Sequence, residues 1–221
     1  LAPLNYGFII PFIISMVIGL FFLSQINTGD ESIYFNVNRT SFWDTFFIYG
    51  TQLGEEPVYA ILTILALVFI NFRTAILIPT LGFSIMGLSF SLKKYFAHPR
   101  PYLYFKKQGW LDQIELFEGM QILKGYSSFP SGHTMSGFGL FFFLALQFKQ
   151  KTLGIIAFIF AFVIGFSRIY LFHHFLKDVL VGAFIGVILA YLFQAIFSFI
   201  EKDKSFWLNK NLLTIIRNRK S

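Results

Sequence analysis

Six apolar runs divide this chain, at about 7–24, 57–72, 74–92, 131–148, 152–168 and 178–200. A membrane-crossing helix needs about 20 apolar residues, with a usable range of roughly 17–25. The first, third and sixth runs meet that length comfortably, and the second is short. Only Asn71–Arg73 separates the second run from the third, and only Lys149–Lys151 the fourth from the fifth, so the second and third predict a tight helical hairpin. Phe and β-branched residues recur throughout, yet no alternation of period two is sustained, which argues against a membrane β-barrel. The expected fold is all-α: a polytopic membrane helical bundle with about six transmembrane helices.

Composition strengthens that reading. The chain is 56% hydrophobic and 13% charged, against roughly 25% charged residues in soluble domains. Its 221 residues suit one membrane domain, 1–221. With no cysteine, disulfides, thiolate nucleophiles and thiolate metal sites are excluded. No basic region precedes the first run and no clear small-residue cleavage site follows it, so it reads as a retained helix rather than a signal peptide. The net charge of +7 matters less than its distribution, since short-loop Lys and Arg set orientation. With the N-terminus inside, the inner set is Arg73, Lys149, Lys151, Lys202, Lys204, Lys210, Arg217, Arg219 and Lys220. The first outer loop, about 25–56, carries Asp30, Glu31, Asp44, Glu55 and Glu56 against Arg39 alone. The other outer segments hold further cations, but Lys93, Arg100, Arg168 and Lys177 lie within polar motifs where chemistry can select them. Both termini are therefore expected in the cytoplasm of a bacterial inner membrane. Phe42, Trp43, Phe46, Phe47 and Tyr49 suit either an interfacial piece or a packed loop helix. The tail, 201–221, mixes Trp207, Leu208, Leu212, Leu213, Ile215 and Ile216 with basic residues, the pattern of an amphipathic cytoplasmic segment on an anionic leaflet.

All four histidines fall in three polar segments set between those runs: Lys93–Pro101, Pro130–His133 and Ser167–Asp178. Ionisable groups at membrane depth are costly and by default mark function. In the third segment His174 and Asp178 are four apart and would share a helix face. Asp178 would fix the imidazole tautomer and leave the other nitrogen free to attack. His173 lies five from Asp178, off that face, and Arg168 is a planar fork matched to phosphate oxygens. The plain alternative is a buried Arg168–Asp178 ion pair. In the second segment Pro130 favours a helix start, placing Ser131, Gly132 and His133 where unpaired N–H groups bind anions, or merely cap. In the first, Pro99 and Pro101 should end a helix and aim Arg100 back toward Lys93, unless both are snorkelling cations. Lys94 and His98 receive no task. No carboxylate and imidazole cluster has metal spacing, so neither metal nor cofactor is expected.

Together the three segments resemble the tripartite signature of the type 2 phosphatidic acid phosphatase superfamily. Lys93, six residues, then Arg100–Pro101 matches the first motif. Pro130–Ser131–Gly132–His133 matches the second, and Ser167–Arg168, five residues, His174, three residues, Asp178 the third. The resemblance implies a metal-independent phosphatase working through a phosphohistidine. His174 would be the nucleophile, Asp178 its orienter and His133 the general acid. Lys93, Arg100, Ser131, Gly132 and Arg168 would bind phosphate. The implied partners are the bilayer and a lipid or polyprenyl phosphate (undecaprenyl pyrophosphate among them), with no nucleic acid, at a site facing the periplasm or exterior. Transfer of the phosphoryl group to a lipid acceptor is the second enzymatic reading. A transporter would spread polar residues along its spans, whereas here they gather at one end. Residues 102–129, with Lys106, Lys107, Trp110, Asp112, Glu115, Glu118 and Lys124, suit a lid that reads the headgroup.

Overall fold

The computed structural model describes residues 4–115, 120–200 and 207–218. Its regular elements are helical: α1 (Tyr6–Gln25), α2 (Asp30–Val37), α3 (Ser41–Gln52), α4 (Glu56–Leu65), α5 (Phe72–Phe96), α6 (Pro101–Gln108), α7 (Gly132–Gln147), α8 (Lys151–Tyr170), α9 (Leu176–Ile200) and α10 (Leu212–Asn218). All six apolar runs are helices. The spans containing α1, α5, α8 and α9 are each long and apolar enough to cross a membrane, and α3 with α4, bent by 59°, forms a fifth candidate. The short second run thus gains its length from an extra helix, continued by a π-type turn at Ala66–Ile70. The fourth run, α7, has only 16 residues, below the length a crossing helix needs. It is the most enclosed helix, with Met135, Leu140, Phe142 and Phe143 all at 0% exposure. A central helix sheathed by α5, α8 and α9 needs no lipid-facing length of its own. The protein is an integral membrane protein of four to five spanning helices around that core.

Local chemistry sets the helix ends. Asn71 caps α5 by accepting from Thr74 N at 2.7 Å, which makes the α4–α5 connection the tight hairpin expected from the sequence. The Asn5 side chain accepts from Gly7 N and donates to the carbonyls of Ala145, Phe148 and Gln150. It therefore ties the start of α1 to the α7–α8 turn. The α7–α9 packing relies on absent side chains: a Cβ on Gly182 would stand 2.6 Å from the Ser131 carbonyl oxygen, so only glycine lets the two backbones meet there.

In the first loop, α3 lies against α8 through Phe47, whose ring is 4.7 Å from that of Tyr170. Phe42, Trp43, Phe46 and Tyr49 stay exposed, so α3 is both a packed helix and an apolar outer face. Of the tail, the described part is a 3-10 turn at Trp207–Asn209 and α10. It is held to the α4–α5 turn by Phe72 N donating to Lys210 O and Asn211 Nδ2 donating to Phe69 O. Lys202, Lys204, Arg219, Lys220 and Glu118 lie outside the described residues.

Candidate active site

The three polar segments converge at one end of the bundle, opposite the Asn5, Asn71 and Asn211 contacts. α5 carries Lys93 in its last turn and stops at Phe96, where Ala97 takes a left-handed conformation (φ 45°). The helix does not persist to Arg100, as Pro99 and Pro101 required. The chain turns back and Arg100 becomes the residue before α6. Arg100 is buried. Its Nε donates to Ser127 Oγ at 3.1 Å and its Nη1 to His173 O at 3.1 Å, with His174 Nε2 3.5 Å from the same Nη1.

His174 does not sit on a helix. It occupies the turn between α8 and α9, and Asp178 lies in the first turn of α9. The pair nonetheless meets, with Nδ1 3.6 Å from Asp178 Oδ2. A guanidinium only donates, so the Nε2 facing Arg100 carries the lone pair and Nδ1 carries the hydrogen. That is the tautomer an attacking imidazole needs. Burial, then Arg100, Arg168, Lys93 and His133, hold the His174 imidazole well below its usual pKa, so the ring is neutral at physiological pH.

Ser128, outside the three motifs, completes this corner. Wholly buried, it donates to Asp178 Oδ2 at 2.5 Å and its Oγ stands 3.5 Å from His174 Nδ1. Phe175 N also donates to that Oδ2 at 3.1 Å, while Oδ1 is buried without a partner. Asp178 forms no ion pair with Arg168. The Arg168 guanidinium, 3% exposed, instead donates from Nη1 to Thr51 Oγ1 at 2.6 Å, and its Nε has no partner.

Ser131 caps α7, accepting from Thr134 N at 3.5 Å and Thr134 Oγ1 at 2.8 Å, while Ser131 N donates to Asp178 O at 3.0 Å. Gly132 opens the helix beside Lys93: a Cβ there would lie 3.2 Å from Lys93 Nζ and 2.8 Å from Ser89 Oγ. His133, half-buried, has Nε2 3.6 Å from Glu55 Oε1. His173 faces away from this pocket, with Nε2 2.7 Å from Gln121 O. The His98 ring lies tilted against that of Phe129 and Lys94 is exposed. Residues 120–128 run along the rim, held by Arg100 N donating to Gly125 O and Ser128 N to His98 O.

All eight residues singled out in the sequence thus gather here, joined by Ser128, Thr51 and Glu55. Ser128 had one sequence signal, its place two residues before the PSGH string. Thr51 and Glu55 had none, being far away in the chain.

The sequence model of the PAP2 superfamily matches residues 73–202, over half of the chain. The chain belongs to the PAP2 superfamily. Within this superfamily it is 28% identical over 181 residues to the lipid A 4'-phosphatase of Bacteroides thetaiotaomicron, covering 79% of this chain and 78% of that protein. It is 33% identical over 106 residues to phosphatidylglycerophosphatase B of Bacillus subtilis, covering 44% and 51%. The crystal structure of Aquifex aeolicus LpxE superposes with a TM-score of 0.62 at 29% identity, covering 76% of this PAP2 chain and 94% of that one.

Proposed function

We propose that this protein is a lipid phosphate phosphatase that works through a phosphohistidine on His174. The observation that carries the proposal is the His174 corner. A neutral imidazole there has its lone pair on Nε2, with Arg100 beside that nitrogen and Asp178 and Ser128 behind the other. The partnerless Arg168 Nε is a buried donor that a phosphate oxygen would satisfy.

In this reading Lys93, Arg100, Arg168, the Ser131 hydroxyl and the Gly132 N–H hold the phosphoryl oxygens and stabilise the charge of the transferring group. His174 Nε2 attacks phosphorus as the bond to the lipid oxygen breaks, and His133 protonates that oxygen. Water then attacks the phosphohistidine and gives its proton back to His133, releasing phosphate. Asp178 holds Nδ1–H throughout and stabilises the ring as positive charge develops. The cationic Lys93, Arg100 and Arg168 side chains carry the electrostatic work in this reading. The substrate class is a lipid or polyprenyl phosphate, in keeping with the named activities of the lipid A and phosphatidylglycerophosphate relatives. It would enter laterally from the bilayer.

The deciding experiment is phosphate release by the purified protein in detergent, across lipid A, phosphatidylglycerophosphate, phosphatidic acid and undecaprenyl pyrophosphate, with EDTA present. Turnover of at least one, inhibited by vanadate, is expected. Loss in EDTA with recovery in Mg²⁺ overturns the mechanism. We further propose that the site faces the periplasm or exterior and the basic 201–221 tail the cytoplasm. Single cysteines at Gln108 and Asn211 test this in spheroplasts with an impermeant thiol reagent. Labelling of 108 alone is expected, and labelling of 211 alone refutes it.

A further inference from the structure

The bend between α3 and α4 lies outside the 73–202 span matched by the family and outside all three polar segments. It nevertheless delivers two side chains to the site. Thr51 Oγ1 accepts from Arg168 Nη1 at 2.6 Å, and Glu55 Oε1 lies 3.6 Å from His133 Nε2. The bend is held in place by the helix that carries His133. Ser136 Oγ donates to Gly54 O at 2.9 Å, and the Tyr59 hydroxyl donates to Ser136 O at 3.1 Å. Glu55 N closes the turn onto Gln52 O at 3.1 Å. The position of Glu55 relative to His133 is therefore set by bonds on both sides of it.

A histidine that protonates a leaving oxygen must first be an imidazolium. The groups around His133 are mostly cationic: Lys93 from α5, Arg100 ahead of α6 and Arg168 from α8, with the His174 ring beyond them. Each of those cations disfavours a charged ring. Asp178 is committed elsewhere, to Ser128, the Phe175 N–H and the His174 edge. Among the described residues, Glu55 is the carboxylate that pairs with His133.

We propose that Glu55 is the positioning residue for His133: its carboxylate addresses the Nε2 edge, orients the ring and opposes the burial and surrounding cations that disfavour its protonated form. With Nε2–H turned to Glu55, Nδ1–H is the proton offered to the ester oxygen. It transfers as the phosphorus–oxygen bond breaks, and Nδ1 takes a proton from the water that later attacks the phosphohistidine. The purpose of that proton rests on the phosphatase reading above. The pairing itself rests on the geometry.

The experiment titrates the imidazoles by NMR in ¹⁵N-histidine-labelled full-length protein in detergent micelles, with His133 assigned through His133→Asn. Glu55→Gln and Glu55→Ala should each lower the His133 midpoint by about one pH unit, the shift for a unit charge at this distance with water-like screening. Glu56→Gln, an exposed neighbour, should move it far less. In kinetics the basic limb of kcat/KM should fall to lower pH by the same interval. The loss should be larger for an alkyl phosphate monoester than for p-nitrophenyl phosphate, whose leaving group needs no proton, and Glu55→Asp should restore most of it. An unmoved His133 midpoint in both Glu55 variants overturns the proposal. So does an equal loss on both substrates with an unmoved basic limb. A wild-type protein that hydrolyses neither substrate refutes the phosphatase reading and the role given to the proton, while the titration still decides the pairing.

Discussion

Replacing Ser128 by Ala removes a single oxygen from the most enclosed corner of the site. That oxygen donates to Asp178 Oδ2 at 2.5 Å, and both residues are at 0% exposure. A hydrogen bond to a charged group contributes about 1.5–3 kcal/mol. Asp178 already has one oxygen without a partner, and the lost donor leaves its other oxygen with the Phe175 N–H alone. The variant should therefore lose about 2–3 kcal/mol of stability, read as a lowered thermal midpoint in detergent. Its kinetic effect should be larger than its binding effect. Ser128 and Asp178 stand 3.5 and 3.6 Å from His174 Nδ1, and without the hydroxyl the Nδ1 edge keeps only one of its two restraints. A misplacement of about 1 Å can cost about 100-fold in rate, so a fall in kcat of about 10- to 100-fold is expected on a lipid phosphate. KM and the vanadate inhibition constant should change little, because Lys93, Arg100 and Arg168 do not bond Ser128. Wild-type kcat with an unchanged midpoint would refute the reasoning. A parallel loss of vanadate affinity would show that the anion pocket, not the histidine, had been disturbed.

Three further outcomes follow from the same geometry. His174→Ala should abolish phosphate release while His173→Ala retains most of it, because His173 points to Gln121 O; equal losses would unseat the nucleophile. Gly132→Ala should raise KM about tenfold or more, since its methyl would press on Ser89 Oγ and Lys93 Nζ and such crowding costs about 1–3 kcal/mol; an unchanged KM counts against an anion site there. Burial, then Arg168, push the His173 imidazole down to about 2, and His174 is lowered too. The unfolded chain therefore binds these protons first, and stability, complete above about pH 6.5, should decline below it by about 1.4 kcal/mol per pH unit for each ring. Thermal midpoints between pH 7 and 5 test this, and His173→Ala should flatten the slope.

Much of the protein was legible in the chain because its information is local. Run length announces helices that lipid must solvate, and a charge between such runs is too costly to be incidental. Hence Lys93, Arg100, Ser131, Gly132, His133, Arg168, His174 and Asp178 could be named before any fold was known. Helix ends were equally local, as with Pro99 and Pro101 ending α5 or Asn71 opening it. The reasoning for His174 and Asp178 was less sound than its result. They were expected on one helix face, but the turn at Leu171–Phe175 brings them together instead.

What only the tertiary structure decided concerns surfaces that a linear pattern does not order. Run length counted α7 among the spans; the structure places its 16 residues inside the bundle, enclosed by α5, α8 and α9. Hydropathy gave Thr51 and Glu55 to a loop, because a residue's partner across about 80 to 117 positions leaves no trace in its neighbours. The bend of α3 against α4 and its bonds to Ser136 bring them to His133 and Arg168. Composition marks which groups a membrane must hide, and packing alone determines which of them meet.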